Sequence, residues 1–212
     1  MKLDKDSLIL YVVTDRSWLK ENPLAFEVEK TLKAGATFIQ LREKEMSDEE
    51  FLKEAIEIKA LTDKYKVPFV INDNIDIALK VNADGVHVGQ SDMDAKNVRK
   101  LIGPDKILGV SASNAEQAKK AEQSGADYLG VGAVFSTSTK KDADNVSFET
   151  LKEICQSVSI PVIAIGGINE GNLYKLKNSG IVGVAVISAI LAKSDIIEAT
   201  KTIRKLCEVN FK

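Results

Sequence analysis

Lys33-Ala34-Gly35-Ala36-Thr37-Phe38 and, roughly 90 residues later, Gln123-Ser124-Gly125-Ala126-Asp127-Tyr128 enter an apolar run in the same way: a polar helix end, a glycine, a short turn, an aromatic residue. Val67-Pro68-Phe69-Val70 and Ile160-Pro161-Val162-Ile163 form a second such pair at nearly the same offset. That spacing has room for four βα units. Two similar halves of four units make a closed (β/α)₈ TIM barrel rather than an open doubly wound sheet. The competing open fold would favour G-x-G-x-x-G after the first strand, which is missing.

Working outward from the repeat, eight short β-branched or apolar runs alternate with stretches of helical period. They are Leu8–Val13, Phe38–Leu41, Phe69–Ile71, Gly85–Val88, Leu108–Val110, Tyr128–Val131, Val162–Ile165 and Gly183–Val186. Between the second and third, Ser47 and Glu50 have capping-box spacing, and Phe51, Ala55, Ile58, Leu61 and Tyr65 recur on one face. Ser113 and Glu116 repeat the capping-box spacing, and Ser194 is expected to cap the last helix. One domain spanning residues 1–212 is expected, since this length fills a single sizeable core.

Composition narrows the partners. A net charge of −2, with lysines dispersed, leaves no basic stripe for nucleic acid. The longest apolar stretch, Val184–Ala192, is interrupted by Ser188 and too short for a bilayer span, and Met1–Asp6 has no apolar leader region, so a cytoplasmic protein is expected. Cys155 and Cys207 lie far apart without ligand spacing and read as reduced thiols. Oligomeric state is not legible; a homo-oligomer stays open.

A barrel assembles its active site just after its strands. After strand two, alternation puts Gln40, Arg42 and Lys44 on one side and Leu41 and Glu43 on the other, so two cations and an amide face the barrel mouth. Asn72-Asp73 follows strand three and Gln90-Ser91-Asp92 follows strand four. Two carboxylates on neighbouring strands suit Mg²⁺, which completes its shell with water and phosphate oxygens; each could instead cap the next helix. The segment Ser136-Thr137-Ser138-Thr139-Lys140-Lys141-Asp142 reads as a hydroxyl- and lysine-bearing lid. Gly166-Gly167 permits close backbone approach, and Ser188 opens a short helix to Ala192; N–H groups from both places would hold a phosphate. His87, the sole histidine, falls inside strand four and is expected to pack rather than catalyse, as Trp18 is expected to pack at the surface or in a lid. Thr14-Asp15-Arg16 lies at the rim with no assigned ligand.

These segments resemble the motifs of the thiamine phosphate synthase family in order and spacing over nearly the whole chain: Tyr11–Arg16, Gln40–Lys44, Ile71–Asp73, Ala83–Asp92, Gly109–Ser111, Thr137–Lys140 and Gly166–Ile168. The resemblance implies a transferase that joins an aminopyrimidine diphosphate to a thiazole phosphate and releases pyrophosphate. It implies one Mg²⁺ per active site on Asp73 and Asp92. It implies a pyrimidine diphosphate site at Gln40, Leu41, Arg42, Glu43, Lys44, Asn72, Ser111 and Lys140, with Arg42, Lys44, Ser111 and Lys140 catalytic. Thr137, Ser138, Thr139, Gly167, Ile187 and Ser188 would hold the thiazole phosphate.

Ala133 departs from the proline expected in many relatives and removes no ligand. A related thiazole tautomerase is the nearest alternative, but it would carry a histidine after strand six, where this chain has none. A non-catalytic carrier of thiazole or thiamine phosphate would keep Gly167 and Ser188 without needing the Arg42, Lys44, Asp73, Asp92 and Lys140 cluster.

Overall fold

In a computed structural model, which describes residues 3–19, 22–136 and 145–212, eight parallel strands close on themselves in sequence order. They are β1 (Leu10–Val13), β2 (Phe38–Leu41), β3 (Phe69–Asn72), β4 (Gly85–Val88), β5 (Ile107–Ala112), β6 (Tyr128–Val131), β7 (Val162–Ile165) and β8 (Gly183–Val186). Closure comes from the pairing of β1 with β8, Tyr11 opposite Ala185. Outside the strands lie α1 (Leu24–Lys33), α2 (Asp48–Tyr65), α3 (Ile75–Lys80), α4 (Ala95–Ile102), α5 (Ala115–Gln123), α6 (Phe148–Ser157), α7 (Ser188–Leu191) and α8 (Ile196–Phe211). Between β7 and β8 the helical position is taken by a 3-10 turn, Leu173–Leu176.

Strands covered on both faces read as continuous apolar runs, which is why the sequence displays them so plainly. Their alternate residues then divide into two cores. Ile39, Leu41, Phe69, Ile71, Val86 and Leu129 join the helix faces in the outer layer. Tyr11, Phe38, Val70, Ile107, Tyr128 and Ile163 fill the barrel itself. Phe38 is fully buried there, so truncation to alanine would cost about 3–5 kcal/mol.

The start of α2 has the expected capping box: Ser47 Oγ accepts from Glu50 N at 3.3 Å and the Glu50 carboxylate accepts from Ser47 N at 3.3 Å. Two other expected caps move by one residue. Asn114, not Ser113, caps α5, accepting from Gln117 N at 2.9 Å, while Ser113 donates to the Gln117 side chain. Asp195, not Ser194, caps α8, accepting from Glu198 N at 2.9 Å. In both places the neighbour bears a carbonyl or carboxylate oxygen, a stronger acceptor toward the positive helix end than a hydroxyl. The chain before β1 also differs from the extended run expected from Leu8: Asp4 caps a 3-10 turn over Lys5–Leu8, and the strand begins at Leu10.

At the N-terminal face, Arg99 holds the approaches to two strands. It donates to the carbonyls of Gly103, Lys106 and Gly125 and to Asp127, at 2.6–2.8 Å. No helix of the described residues is long and apolar enough to cross a membrane.

Candidate active site

The carboxyl ends of the strands surround a cavity of about 370 Å³. Its floor comes from inward positions of the barrel strands. Tyr11, Gln40, His87 and Ser111 reach it from β1, β2, β4 and β5, with Tyr128 of β6 below. The pairing register aligns Asn72 of β3 with His87 of β4, so both side chains face this hollow. Glycines make room for the large polar side chains. A Cβ at Gly109 would stand 2.2 Å from Tyr128 Cζ and 2.5 Å from His87 Nδ1, and one at Gly130 would stand 3.1 Å from His87 Cε1.

On one wall, Arg42 lies just beyond the end of β2. Its N–H donates to Thr14 Oγ1 at 2.9 Å, and its guanidinium lies 3.5 Å from the Asp15 carboxylate. Both side chains are about 15% exposed or less, which fixes a cation at the mouth without neutralising every donor of its fork. Asp73 sits at positive φ, 61°, with its N–H on the His87 carbonyl. Its carboxylate accepts from Asn72 Nδ2 at 2.5 Å, and Asp92 accepts from Gly89 N at 2.7 Å. Burial, followed by the adjacent charge of Asp92, pushes the Asp73 carboxyl up to about 6. The neighbouring Asp92 charge thus adds to the cost of ionising Asp73, and a divalent cation would remove it. The hard oxygens of both carboxylates suit Mg²⁺, which commonly needs only one or two protein carboxylates. Among the described residues no group of three or more His, Cys, Asp or Glu converges as a metal cage.

The opposite wall is backbone. Gly166 and Gly167 have φ of 100° and 65°, and a Cβ on Gly167 would lie 2.5 Å from the Ser136 carbonyl, so only glycine lets the chain pass there. Ile187 and Ser188, at the start of α7, line the same wall. The cavity thus has a charged side from β2–β4 and a glycine–serine side from β7–β8.

The thiamine monophosphate synthase sequence profile matches residues 10–190. The chain belongs to this family. It is 57% identical to the thiamine-phosphate synthase of Clostridium tetani over 190 residues, covering 90% of this chain and 91% of that one. It is 54% identical to the protein of the same name from Methanobrevibacter smithii, over 87% of this chain and 88% of the relative. Among solved structures, thiamine phosphate pyrophosphorylase from Pyrococcus furiosus superposes with a TM-score of 0.91 at 40% identity, covering 98% of this chain and 99% of that chain. The protein is accordingly an enzyme of this transferase family.

Against the family's expected site, the fold brings Gln40, Arg42, Asn72, Ser111, Gly167, Ile187 and Ser188 around one cavity. Glu43, Lys44 and Asp73 line an adjoining hollow of about 520 Å³ that shares Asn72 with it, and Asp92 lines a smaller one that shares Gly89 and Gln90. Leu41 points elsewhere. Leu41 is sealed in the outer core, and the Glu43 carboxylate turns to Arg16, which also binds Glu54 at 2.6 Å. Burial pushes Glu43 up to about 7, with Glu54 adding to the shift. Thr137, Ser138, Thr139 and Lys140, with most of the expected Ser136–Asp144 lid, lie outside the described residues. Trp18 packs half-buried against the outer core, consistent with a packing role.

His87, Tyr11, Tyr128 and Gln90 were not assigned to this family's site from sequence. His87 packs, as expected, but on the cavity floor, and Gln90 Nε2 donates to the Ser111 carbonyl at 2.6 Å. The available signal was the glycine pair. Gly109 and Gly130 interrupt two strands at positions where a glycine marks the close approach of another group.

Proposed function

We propose that the protein is a Mg²⁺-dependent thiamine phosphate synthase. It would join 4-amino-2-methyl-5-hydroxymethylpyrimidine diphosphate to 4-methyl-5-(2-phosphoethyl)thiazole, giving thiamine phosphate and pyrophosphate. The observation that carries this reading is the two-sided cavity: Arg42 of the β2 end faces a glycine–serine phosphate wall on β7–β8, and the Asp73 and Asp92 carboxylates line hollows that adjoin its charged side. Both substrates carry phosphate, and only one loses it.

In the first step the bond between the pyrimidine CH₂ and the diphosphate oxygen breaks, its electron pair leaving with diphosphate. The aminopyrimidine spreads the positive charge left on its CH₂. In the second, the thiazole nitrogen donates its lone pair to that carbon. No protein nucleophile is required. Asp73 and Asp92 would hold Mg²⁺, which would supply positive charge to the leaving diphosphate. Arg42 answers the same developing charge with a preset guanidinium, and Lys44 and Lys140 belong with it by family likeness. Gln40, Asn72 and Ser111 orient the pyrimidine. Gly167, Ile187 and Ser188, with Thr137, Ser138 and Thr139 by likeness, seat the thiazole phosphate within reach of the carbon, where positioning replaces an encounter in solution. A cytoplasmic setting agrees with phosphorylated substrates of this kind.

The test mixes purified protein with both substrates, with and without Mg²⁺, and follows thiamine phosphate and pyrophosphate. Product only with Mg²⁺ is expected, together with its loss in Asp92→Ala. Absence of product at saturating Mg²⁺, or unaltered turnover in that variant, would refute the reading.

A further inference from the structure

Below the cavity five side chains from five strands form one unbroken hydrogen-bond chain. Gln40 Nε2 lies 2.6 Å from Tyr11 Oη, and Tyr11 Oη lies 2.8 Å from Tyr128 Oη. Tyr128 Oη is 2.9 Å from His87 Nδ1, and His87 Nε2 is 3.0 Å from Ser111 Oγ. The middle is dry, with Tyr11 and Tyr128 at most 1% exposed. The two ends, Gln40 and Ser111, line the cavity.

Such a chain has a direction. Burial raises the pKa of both phenols, so each keeps its single hydrogen. A phenol that accepts from one neighbour gives that hydrogen to the next. The Gln40 amide nitrogen can only donate, so Tyr11 donates onward to Tyr128, and Tyr128 donates to His87 Nδ1. His87 then carries its hydrogen on Nε2 and gives it to Ser111 Oγ. Two consequences reach the cavity: Gln40 presents its carbonyl oxygen, and Ser111 directs its own hydrogen outward.

We propose that Tyr11, Tyr128 and His87 are positioning residues that lock the polarity of the pyrimidine site. The lock makes Gln40 an acceptor and Ser111 a donor. The site then takes a substrate that offers an exocyclic N–H to Gln40 and an acceptor atom to Ser111, and it disfavours a ring whose amino group is replaced by a carbonyl. A buried group facing a mismatched partner is left unpaired, which is how a polar site discriminates strongly. The substrate side of this inference rests on the function proposed above. The tautomer side does not.

Because His87 is the only histidine, ¹⁵N-histidine labelling reports it alone. In the ligand-free protein, at a pH where the imidazole is neutral, Nε2 is expected at the protonated shift and Nδ1 at the unprotonated one. Hydrogen on Nδ1 instead means that the chain runs backwards, with the amide reversed, and overturns the lock whatever the activity. In Tyr11→Phe, the Gln40 amide loses its anchor. The KM for the aminopyrimidine diphosphate should rise about tenfold, corresponding to about 1.4 kcal/mol, with the KM for the thiazole phosphate unchanged. Discrimination against the 4-oxo analogue should fall. An unchanged pyrimidine KM and unchanged discrimination overturn the proposal. Should Tyr11→Phe fold poorly, the tautomer in the unaltered protein still decides. The predicted tautomer without thiamine phosphate formation would reject the synthase reading and leave the lock standing.

Discussion

Replacing Gly109 by alanine adds one carbon where two rings already meet. The new Cβ would stand 2.2 Å from Tyr128 Cζ, 2.3 Å from its hydroxyl and 2.5 Å from His87 Nδ1. All three separations lie far inside van der Waals contact. Neither ring can swing clear, because Tyr128 is fully buried and His87 is bonded through both nitrogens. Overpacking alone costs about 1–3 kcal/mol. Parting Tyr128 from His87 adds about 1–3 kcal/mol for polar groups left buried without a partner. Together the loss is about 2–6 kcal/mol, and at about 2–4 °C per kcal/mol for a chain of this size, Tm should fall by roughly 4–24 °C. Gly130→Ala is the control. Its Cβ would meet only the His87 ring, Cε1 at 3.1 Å and Nε2 at 3.6 Å, a contact that a few tenths of an ångström relieves, and the lost backbone freedom of the unfolded chain works in its favour by about 0.4–1 kcal/mol. Urea midpoints and scanning calorimetry on both variants measure the difference. Equal Tm values for the two would show that the rings do not fill the space beside Gly109, and the reasoning about the floor would fail.

Three further outcomes follow from other parts of the structure. Arg99→Ala removes five hydrogen bonds at the N-terminal face and should cost about 2–4 kcal/mol in urea unfolding; kcat should stay the same, since the cavity is at the other end. Glu43 titrates near 7 in the folded protein against an ordinary 4.5; its folded pKa is raised, so its contribution is complete below about pH 4.5 and is lost as pH rises through 7. Glu43→Gln should therefore flatten the stability profile between pH 5 and pH 8 and be the more stable form at pH 8, and a variant as pH-dependent as the parent would disprove the assignment. Gly167→Ala forces a side chain onto a backbone with φ of 65° and against the Ser136 carbonyl; KM for the thiazole phosphate should rise at least about tenfold, and an equal rise for the pyrimidine substrate would argue against separate walls.

The architecture was legible because parallel barrel strands are covered on both faces. Six of the eight sequence-derived strands agree with the structure to within one residue at each end, and the exceptions have local causes. Asp4 diverts Lys5–Leu8 into a turn, and β5 extends to Ile107–Ala112 because pairing with β4 and β6 draws in its neighbours. The cavity residues at strand ends were legible for the same reason: Arg42, Asn72 and Ser188 sit where a strand stops and the chain must turn. Alternation, however, holds only while a strand lasts. β2 ends at Leu41, so extending its period to Glu43 and Lys44 could not find the Arg16 and Glu54 partners that Glu43 has in the fold. Caps were uncertain by one residue wherever two capping types stand side by side, as in Ser113-Asn114 and Ser194-Asp195.

The interior side of His87 escaped the sequence for a different reason. Its facing is set by the register of β3, β4 and β5, a long-range property, and histidine is tolerated equally by cores and sites. Once the register is known, its environment follows from polar satisfaction. A barrel interior filled with Tyr11, Tyr128, Gln40 and His87 in place of aliphatic side chains would be costly if any hydroxyl or ring nitrogen were stranded. The chain avoids this by handing each hydrogen to the next acceptor until both ends open on the cavity. Its last donor and acceptor then face the cavity, where water or a ligand can complete them. The same requirement that keeps the floor stable therefore leaves a fixed hydrogen-bonding pattern facing the substrate, and a change to any ring in the chain should register in both stability and pyrimidine recognition.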